Sequence, residues 1–143
     1  ITHHKDKAVL SRLSIESLIE RNFITTSPDV TLGEFVKLVA KSQRNVFPVI
    51  DEENNFLGVI FINDIRHIIF EHDQYDTVYI RNLMYMPDTL IEYNATMEDV
   101  AQKFAETSHY NLPVLKDGKY IGFVSRANVF SAYRKLVKDF SND

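Results

Sequence analysis

The chain has 143 residues, of which 45% are hydrophobic and 25% are charged, so it can bury a sizeable core as an ordinary globular protein. Sixteen basic and twenty acidic residues give a formal net charge of -4, which excludes a bulk electrostatic attraction to nucleic acid or to an anionic membrane. Cysteine is absent, which excludes disulfides, cysteine-based zinc sites and thiol nucleophiles.

The first 22 residues are polar at the start and then carry apolar residues at helical spacing. The adjacent His3 and His4 are more typical of a solvated lead-in than of a metal site, so no metal is expected. No run of about 18 apolar residues occurs, so no membrane-spanning helix is expected in this chain. We interpret residues 1–22 as a linker and short helix that follow an upstream domain. The apolar stripe of this helix consists of Val9, Leu10, Leu13, Leu18 and Ile19.

The rest of the chain repeats itself. Pro113 follows Pro48 by 65 positions (113 minus 48), within the related stretches NVFPVI and NLPVLK. After these prolines the offset becomes 64, which carries Gly58 onto Gly122 (122 minus 58). The second copy therefore has a hairpin turn that is one residue shorter, a change that a loop accommodates at little cost.

Each copy contains a predicted helix with a recognisable start. Thr31 and Thr96, again 65 positions apart (96 minus 31), are each followed three residues later by an acidic residue. A hydroxyl and a carboxylate at this spacing are typical of a helix N-cap. Apolar residues then recur at helical spacing, which predicts helices over about 32–43 and 97–108.

Runs of β-branched and aromatic residues predict three strands in each copy. The predicted strands are Ile24–Thr26, Val46–Ile50 and Phe56–Ile62 in the first copy, and Thr89–Ile91, Asn111–Leu115 and Tyr120–Val124 in the second. A second helix is expected to begin near Asp64 in the first copy and near Asn128 in the second. Each copy thus has the order strand, helix, strand, strand, helix, with boundaries at 23–80 and 81–143.

This repeated order, with a hydrophobic-Pro-Val strand and a Gly-x-x-x-x-x-Asp-like ending, resembles a tandem of cystathionine-β-synthase (CBS) domains, often called a Bateman module. The resemblance covers about residues 23–140. It implies an α+β fold of two CBS domains, each a β-α-β-β-α repeat, packed with pseudo-two-fold symmetry. It also implies a regulatory domain and not an enzyme.

In this family, adenine nucleotides lie in the cleft between the two copies. The resemblance implies that a hydroxyl in a Gly-x-x-Thr/Ser-x-x-Asp pattern approaches phosphate, while the Asp accepts hydrogen bonds from the ribose hydroxyls. The first copy keeps the carboxylate but has Phe61 in place of the hydroxyl, and the second keeps the hydroxyl but has an amide in place of the carboxylate. The candidate nucleotide-binding residues are Thr26, Val46, Phe47, Pro48, Phe61, Asp64, Ile91, His109, Leu112, Pro113, Ser125, Arg126 and Asn128.

Purely structural roles would also explain several of these residues. Asp64 and Asn128 lie where helices are expected to begin, and an Asp or Asn there can act as an N-cap. Ser125 is equally consistent with a local hydrogen bond and Arg126 with a solvated surface position. No motif couples a nucleophile, a base and an orienting group, so no catalytic residues are predicted.

The likeness extends to one kind of parent protein. The stretches VLSRLSIESLIERNF, NLM and GKYIGFVSRANVFSAYRKLV resemble the C-terminal region of a prokaryotic voltage-gated-type chloride channel or chloride/proton antiporter. That resemblance implies an upstream transmembrane chloride-transport domain and a location on the cytoplasmic side of the cell membrane. AMP, ADP or ATP would be a regulatory ligand, no cofactor would be required, and a homodimer is expected.

Two alternatives remain open at this point. The pair could regulate a different parent, such as an enzyme or another transporter, or it could be a dimerisation module that binds no ligand.

Overall fold

The computed structural model describes residues 13–141, with side chains up to residue 138. The chain divides into two compact units. The first-repeat unit consists of Asn22–Asp88 with Gly118–Tyr120. The second-repeat unit consists of residues 13–21, Thr89–Asp117 and residues 121–141.

The first-repeat unit is an antiparallel hairpin covered by a helix. Helix α1 (Leu32–Lys41) begins where Thr31 Oγ1 accepts a hydrogen bond of 3.3 Å from the backbone N–H of Glu34. Strands β1 (Val46–Ile50) and β2 (Phe56–Phe61) pair antiparallel, and the short helix α2 (Ile62–Ile65) follows. Two 3-10 turns lie at His72–Gln74 and Ile80–Asn82. The buried core consists of Phe35, Phe47, Val49, Ile60, Ile65 and Ile80.

The second-repeat unit contains a three-stranded sheet in the order β3-β4-β5. Its elements are β3 (Ile91–Glu92), α3 (Met97–Ala105), β4 (Asn111–Lys116), β5 (Lys119–Ser125) and α4 (Arg126–Ser141). Thr96 Oγ1 caps α3 with a bond of 3.2 Å from the backbone N–H of Asp99. The buried core consists of Ile15, Ile91, Met97, Val100, Ala101, Phe104, Leu112, Val114, Val124 and Val129.

A short segment preceding each repeat adds to an edge of a sheet. Glu20 exchanges two backbone hydrogen bonds of 2.7 and 2.9 Å with Phe123, and Tyr85 exchanges bonds of 2.9 and 3.1 Å with Val59. The neighbouring glycine leaves room for each segment, since a Cβ at Gly122 would lie 2.4 Å from the Glu20 carbonyl oxygen. The equivalent Cβ at Gly58 would lie 2.7 Å from the Tyr85 carbonyl oxygen.

The predicted α+β class is confirmed, and the second repeat has the predicted order of elements, while the first repeat lacks a regular first strand and several bounds differ. The predicted strand Ile24–Thr26 is present only as a single bridge from Thr26 to Val49, and the strand predicted over Thr89–Ile91 spans Ile91–Glu92. Helix α1 ends at Lys41 and helix α3 at Ala105, both earlier than expected.

The helices that close the repeats begin before Asp64 and Asn128. Their first residues are Ile62 and Arg126, because Phe61 and Ser125 are the last strand residues and the chain turns directly into the helix. Asp64 and Asn128 are therefore the third residues of their helices, and the prediction that they are N-caps was wrong.

Part of the predicted N-terminal helix, including Val9 and Leu10, lies outside the described residues, as do His3 and His4. Within the described part, Glu16–Leu18 forms a 3-10 turn, and Ile15 is fully buried in the second-repeat unit. In residues 13–141 no helix combines the length and the apolar character that crossing a bilayer requires.

Candidate functional site

Strand register separates the predicted apolar site residues of the first repeat into two faces of the hairpin. Phe47 pairs with Ile60 on the core face, where its ring contacts that of Phe35 edge-on at 4.9 Å between centroids. Val46 pairs with Phe61 and Pro48 pairs with Val59, so these four side chains share the opposite face. Phe47 is therefore a core residue, whereas Val46 and Pro48 lie on the same face as Phe61.

Tyr85 joins that second face from the neighbouring edge of β2. Because Tyr85 bridges Val59, its side chain lies on the same side as Val59 and diagonal to Phe61. The Phe61 and Tyr85 ring centroids lie 6.1 Å apart with an interplanar angle of 30°. Phe61 is half-buried and Tyr85 is 39% exposed, so the pair presents aromatic surface to solvent.

The carboxylate of Asp64 lies close to this aromatic pair. Burial raises the pKa of the Tyr85 hydroxyl, and the negative charges of Asp64 and Asp88 raise it further. Tyr85 therefore stays protonated at neutral pH and keeps a hydrogen-bond donor. Asp64 is exposed, and within residues 13–141 no hydrogen bond or ion pair engages its carboxylate. Both of its oxygens are thus available to accept hydrogen bonds from a ligand.

Thr26 contributes through its backbone. Its N–H donates to the Pro48 carbonyl at 3.0 Å and its carbonyl accepts from the Ile50 N–H at 2.9 Å. The Thr26 hydroxyl is buried and finds no hydrogen-bond partner among the described residues. Since that oxygen is closed to solvent, a ligand does not reach it in this conformation, and Thr26 positions β1.

In the second repeat, the Ser125 hydroxyl caps a helix. Ser125 Oγ accepts a hydrogen bond of 3.1 Å from the backbone N–H of Asn128, which stabilises the start of α4. The Asn128 side chain is exposed and lies on the first turn of this helix. The structural role considered for Ser125 is therefore present, and the hydroxyl keeps its own O–H to donate.

Arg126 holds the loop that leads into β4. Its Nε donates to the His109 carbonyl at 3.1 Å, its guanidinium also donates to the Thr107 carbonyl, and its backbone N–H donates to the Tyr110 carbonyl at 2.8 Å. The guanidinium also lies 5.5 Å from the centroid of the Phe104 ring. Arg126 is half-buried, and the alternative of a solvated surface residue was wrong.

The other predicted residues of the second repeat are buried or half-buried. Leu112 and Ile91 are fully buried in the core cluster. Pro113 lies on the opposite face of β4 from Leu112, as successive strand residues must. His109 is half-buried at the end of the loop held by Arg126.

Two surface cavities are lined by none of these residues and do not suit an anionic ligand. A cavity of about 370 Å³ is lined by Ser27, Pro28, Asp29, Asp51, Glu52 and Glu53. Another of about 480 Å³ is lined by Glu92, Asn94, Ala95, Asp99, Gln102, Lys103 and Glu106. Carboxylates outnumber cations in both linings, so each would repel a phosphate group.

Sequence reasoning missed Tyr85 as a member of the site. The structure brings it beside Phe61 and Asp64 through an edge pairing that no local pattern indicates. A signal was nevertheless present, because the 65-residue offset carries Glu20 onto Tyr85 (85 minus 20), and both pair with a strand edge.

Comparisons with known proteins identify the repeat. A family model described as "CBS domain" matches residues 15–71 and 80–135. The curated inosine-5'-monophosphate dehydrogenase of Bifidobacterium longum is 29% identical over 104 residues, which cover 71% of this chain and 19% of that protein. The chain thus spans about a fifth of that relative's length.

Two solved structures share the fold. The crystal structure of CBSX2 in complex with AMP gives a TM-score of 0.70 at 24% identity and covers 87% of this chain and 98% of that one. The crystal structure of CbpB in complex with c-di-AMP gives a TM-score of 0.75 at 18% identity, with coverage of 97% and 96%. The matched domains are CBS domains and not catalytic domains, in agreement with the lack of a catalytic motif in the sequence.

Proposed function

Because this chain belongs to the CBS domain family and carries two copies of the domain, we propose that it is a regulatory CBS pair that binds an adenine nucleotide. Two proteins of the same fold support the choice of ligand, since one was solved with AMP and the other with c-di-AMP.

The observation that carries the proposal is the Asp64 carboxylate. A carboxylate accepts two hydrogen bonds from a vicinal diol, which is the group that a ribose offers. Asp64 is exposed, lies three positions after the aromatic residue that ends β2, and forms no hydrogen bond with residues 13–141. We therefore assign the ribose hydroxyls to Asp64.

The second repeat offers a ligand fewer free groups. Arg126 already donates from its side chain to two carbonyls, so an incoming phosphate would have to compete for these donors. The Ser125 hydroxyl accepts a hydrogen bond from the Asn128 N–H and keeps its own O–H to donate. The Asn128 amide remains exposed, but it lacks the charge that strengthens a hydrogen bond to a ribose hydroxyl. We therefore expect the stronger ribose contact in the first repeat.

Calorimetric titration with AMP, ADP and ATP tests the assignment. Removing a charge-assisted pair of hydrogen bonds in Asp64→Ala is expected to cost about 1.5–3 kcal/mol, which lowers affinity roughly 10- to 150-fold. Asp64→Asn is the matched control, because it keeps the shape and removes the charge. Asn128→Ala should weaken binding less than Asp64→Ala. Circular dichroism melts verify that each variant remains folded.

Undiminished binding in Asp64→Ala would contradict the assignment of the ribose. No heat with any of the three nucleotides would contradict the proposed ligand as a whole, and the ligand-free dimerisation module would then be the better account.

We propose further that the pair forms a homodimer. Phe70 is 77% exposed and Val137 on α4 is 39% exposed, so apolar surface is left uncovered in a single chain. A contact with a second copy would cover exposed apolar surface of this kind, and a two-fold symmetric contact buries the same surface in both copies. Sedimentation velocity at tens of micromolar should show a dimer. A monomer throughout this range would contradict the proposal for the isolated chain.

The identity of the larger protein that this pair regulates is a further part of the proposal. The likeness to a chloride channel or antiporter, with the pair on the cytoplasmic side, stays a prediction from sequence. The inosine-5'-monophosphate dehydrogenase relative favours an enzyme parent instead. The full open reading frame decides between them, because membrane-spanning segments support the first and a catalytic domain supports the second.

A further inference from the structure

The first repeat has lost the group that would anchor a phosphate and carries an aromatic pair at the same place. Phe61 is the last residue of β2 and precedes α2. Its side chain has no polar atom, so it can neither cap the helix nor donate a hydrogen bond to a phosphate oxygen. Helix α2 has only four residues, so it offers little of the positive potential that the N-terminus of a longer helix provides.

The charges around Phe61 also disfavour a phosphate. The carboxylates of Asp64 and Asp88 both act on the Tyr85 hydroxyl, so the surroundings of the aromatic pair are negative. The nearest cation along the chain to Phe61 is Arg66, whose guanidinium donates to Asn63 Oδ1 at 2.8 Å, and the nearest to Tyr85 is Arg81, which pairs with Asp29 at 2.7 Å. An anionic group would therefore meet repulsion from two carboxylates, while both of these cations already contact other side chains.

The same residues suit a flat, uncharged ring. Phe61 and Tyr85 present neighbouring ring surfaces whose centroids lie 6.1 Å apart, at the solvent-exposed edge of a hairpin face on which Val46, Pro48 and Val59 are buried. Nucleobases stack on such aromatic surfaces, and stacking needs no charge on the protein. Asp64 adds acceptors for a ribose diol beside these rings.

On the premise of the proposed function, we propose that the first repeat recognises the nucleoside part of its ligand. The base stacks against the Phe61–Tyr85 pair, Asp64 accepts hydrogen bonds from the ribose hydroxyls, and the 5′-phosphate is left in solvent. Adenosine would then bind this site at least as tightly as AMP, whereas a phosphate-anchored site would strongly favour AMP.

Parallel calorimetric titrations of the full chain with adenosine and with AMP test this inference. At the site that Asp64→Ala weakens, AMP should bind no more than about threefold tighter than adenosine, since a phosphate left in solvent gains no contact. Tyr85→Ala should weaken both ligands by about 5- to 150-fold, the effect of losing one base–aromatic stack. Tyr85→Phe is the matched control and should leave both within about twofold, because the ring is kept.

Two further variants complete the test. Tyr85→Leu preserves apolar bulk without an aromatic ring, so it should weaken both ligands even if Tyr85→Ala does not fold. Phe61→Thr restores a hydroxyl before α2 and should create a preference for AMP of about tenfold or more.

The outcomes separate this inference from the proposed function. AMP binding more than tenfold tighter than adenosine at the Asp64-dependent site would overturn the inference. It would do so even if the variant Arg66→Ala abolished that preference. Unchanged binding in Tyr85→Leu would also overturn it. Nucleotide binding that is indifferent to Asp64→Ala would overturn the inference while leaving a nucleotide-binding pair in place. No binding of either ligand would overturn both.

Discussion

Replacing Gly122 by Ala tests whether the segment before the first repeat is part of the second-repeat unit. A Cβ at this position would lie 2.4 Å from the Glu20 carbonyl oxygen and 2.9 Å from Ile19 Cγ2. The closer atom belongs to the backbone, so no side-chain rotation relieves the overlap. The segment must move away from β5, and the two hydrogen bonds between Glu20 and Phe123 are lost or weakened.

The size of the effect follows from these contacts. Two backbone hydrogen bonds contribute about 1–3 kcal/mol together, and the lower entropy of an unfolded chain with Ala in place of Gly offsets about 0.4–1 kcal/mol. A local shift should therefore destabilise the fold by about 1–2 kcal/mol. If the fully buried Ile15 also leaves the core, its exposure adds about 1.5–3 kcal/mol.

Urea denaturation followed by circular dichroism measures the loss, and hydrogen exchange locates it. In Gly122→Ala the amide of Phe123 should lose protection. Gly118→Ala is the matched control, because Gly118 has a positive φ of 81° but open space around it. That variant should be destabilised by backbone strain of about 1 kcal/mol while the Phe123 amide stays protected. A Gly122→Ala chain within about 0.5 kcal/mol of wild type, with Phe123 still protected, would refute the reasoning.

Three further predictions concern stability. Ser125→Ala removes the cap of α4 and should lower the free energy of unfolding by about 0.5–2 kcal/mol in urea melts, whereas Ser125→Thr should retain most of it. The side chain of Asn55 and then its backbone N–H donate to Asp51 and lower the pKa of that carboxyl. A carboxyl whose pKa is lower in the folded state stabilises the fold above the unfolded-state pKa of about 3.9, and this stabilisation is lost as pH falls. Asp51→Asn should therefore reduce the decrease in the free energy of unfolding between pH 7 and pH 2, measured in urea melts. Arg126→Ala breaks side-chain bonds to two carbonyls and should cost about 1.5–3 kcal/mol, and Arg126→Lys should recover only part because an ammonium lacks the planar fork of donors. Equal stability of Arg126→Ala and wild type in urea would contradict the assigned role.

Features that depend on local interactions could be predicted from the sequence. Thr31 and Thr96 cap their helices as expected, because the hydrogen bond joins residues only three positions apart. Strand Val46–Ile50 has the predicted bounds, since its apolar run and acidic turn define both ends. The repeat offset then transferred these assignments from one copy to the other.

The starts of the last helices were misplaced although the signal was available. Asn128 was considered as an N-cap, yet it donates its N–H to Ser125, just as Glu34 donates to Thr31. The three-residue spacing that identified the first caps applied here as well. In the first repeat Phe61 occupies the cap position and forms no side-chain cap. Asp64, the third residue of the helix, was therefore mistaken for the cap.

Contacts between distant parts of the chain could not be predicted from local patterns. The pairing of Glu20 with Phe123 and of Tyr85 with Val59 depends on which strand edge is left open once the sheets have formed. Extending the offset upstream would have indicated the equivalence, since Ile15 maps onto Ile80 (80 minus 15) and both are fully buried. The register of the hairpin likewise decides which apolar residues face the core and which can meet a ligand.

A crystal structure of the chain grown with AMP tests the central claim most directly. We predict that the two ribose hydroxyls lie about 2.5–3.0 Å from the Asp64 carboxylate oxygens, within hydrogen-bond distance. AMP bound with its ribose away from Asp64, or no bound nucleotide at saturating concentration, would contradict the claim.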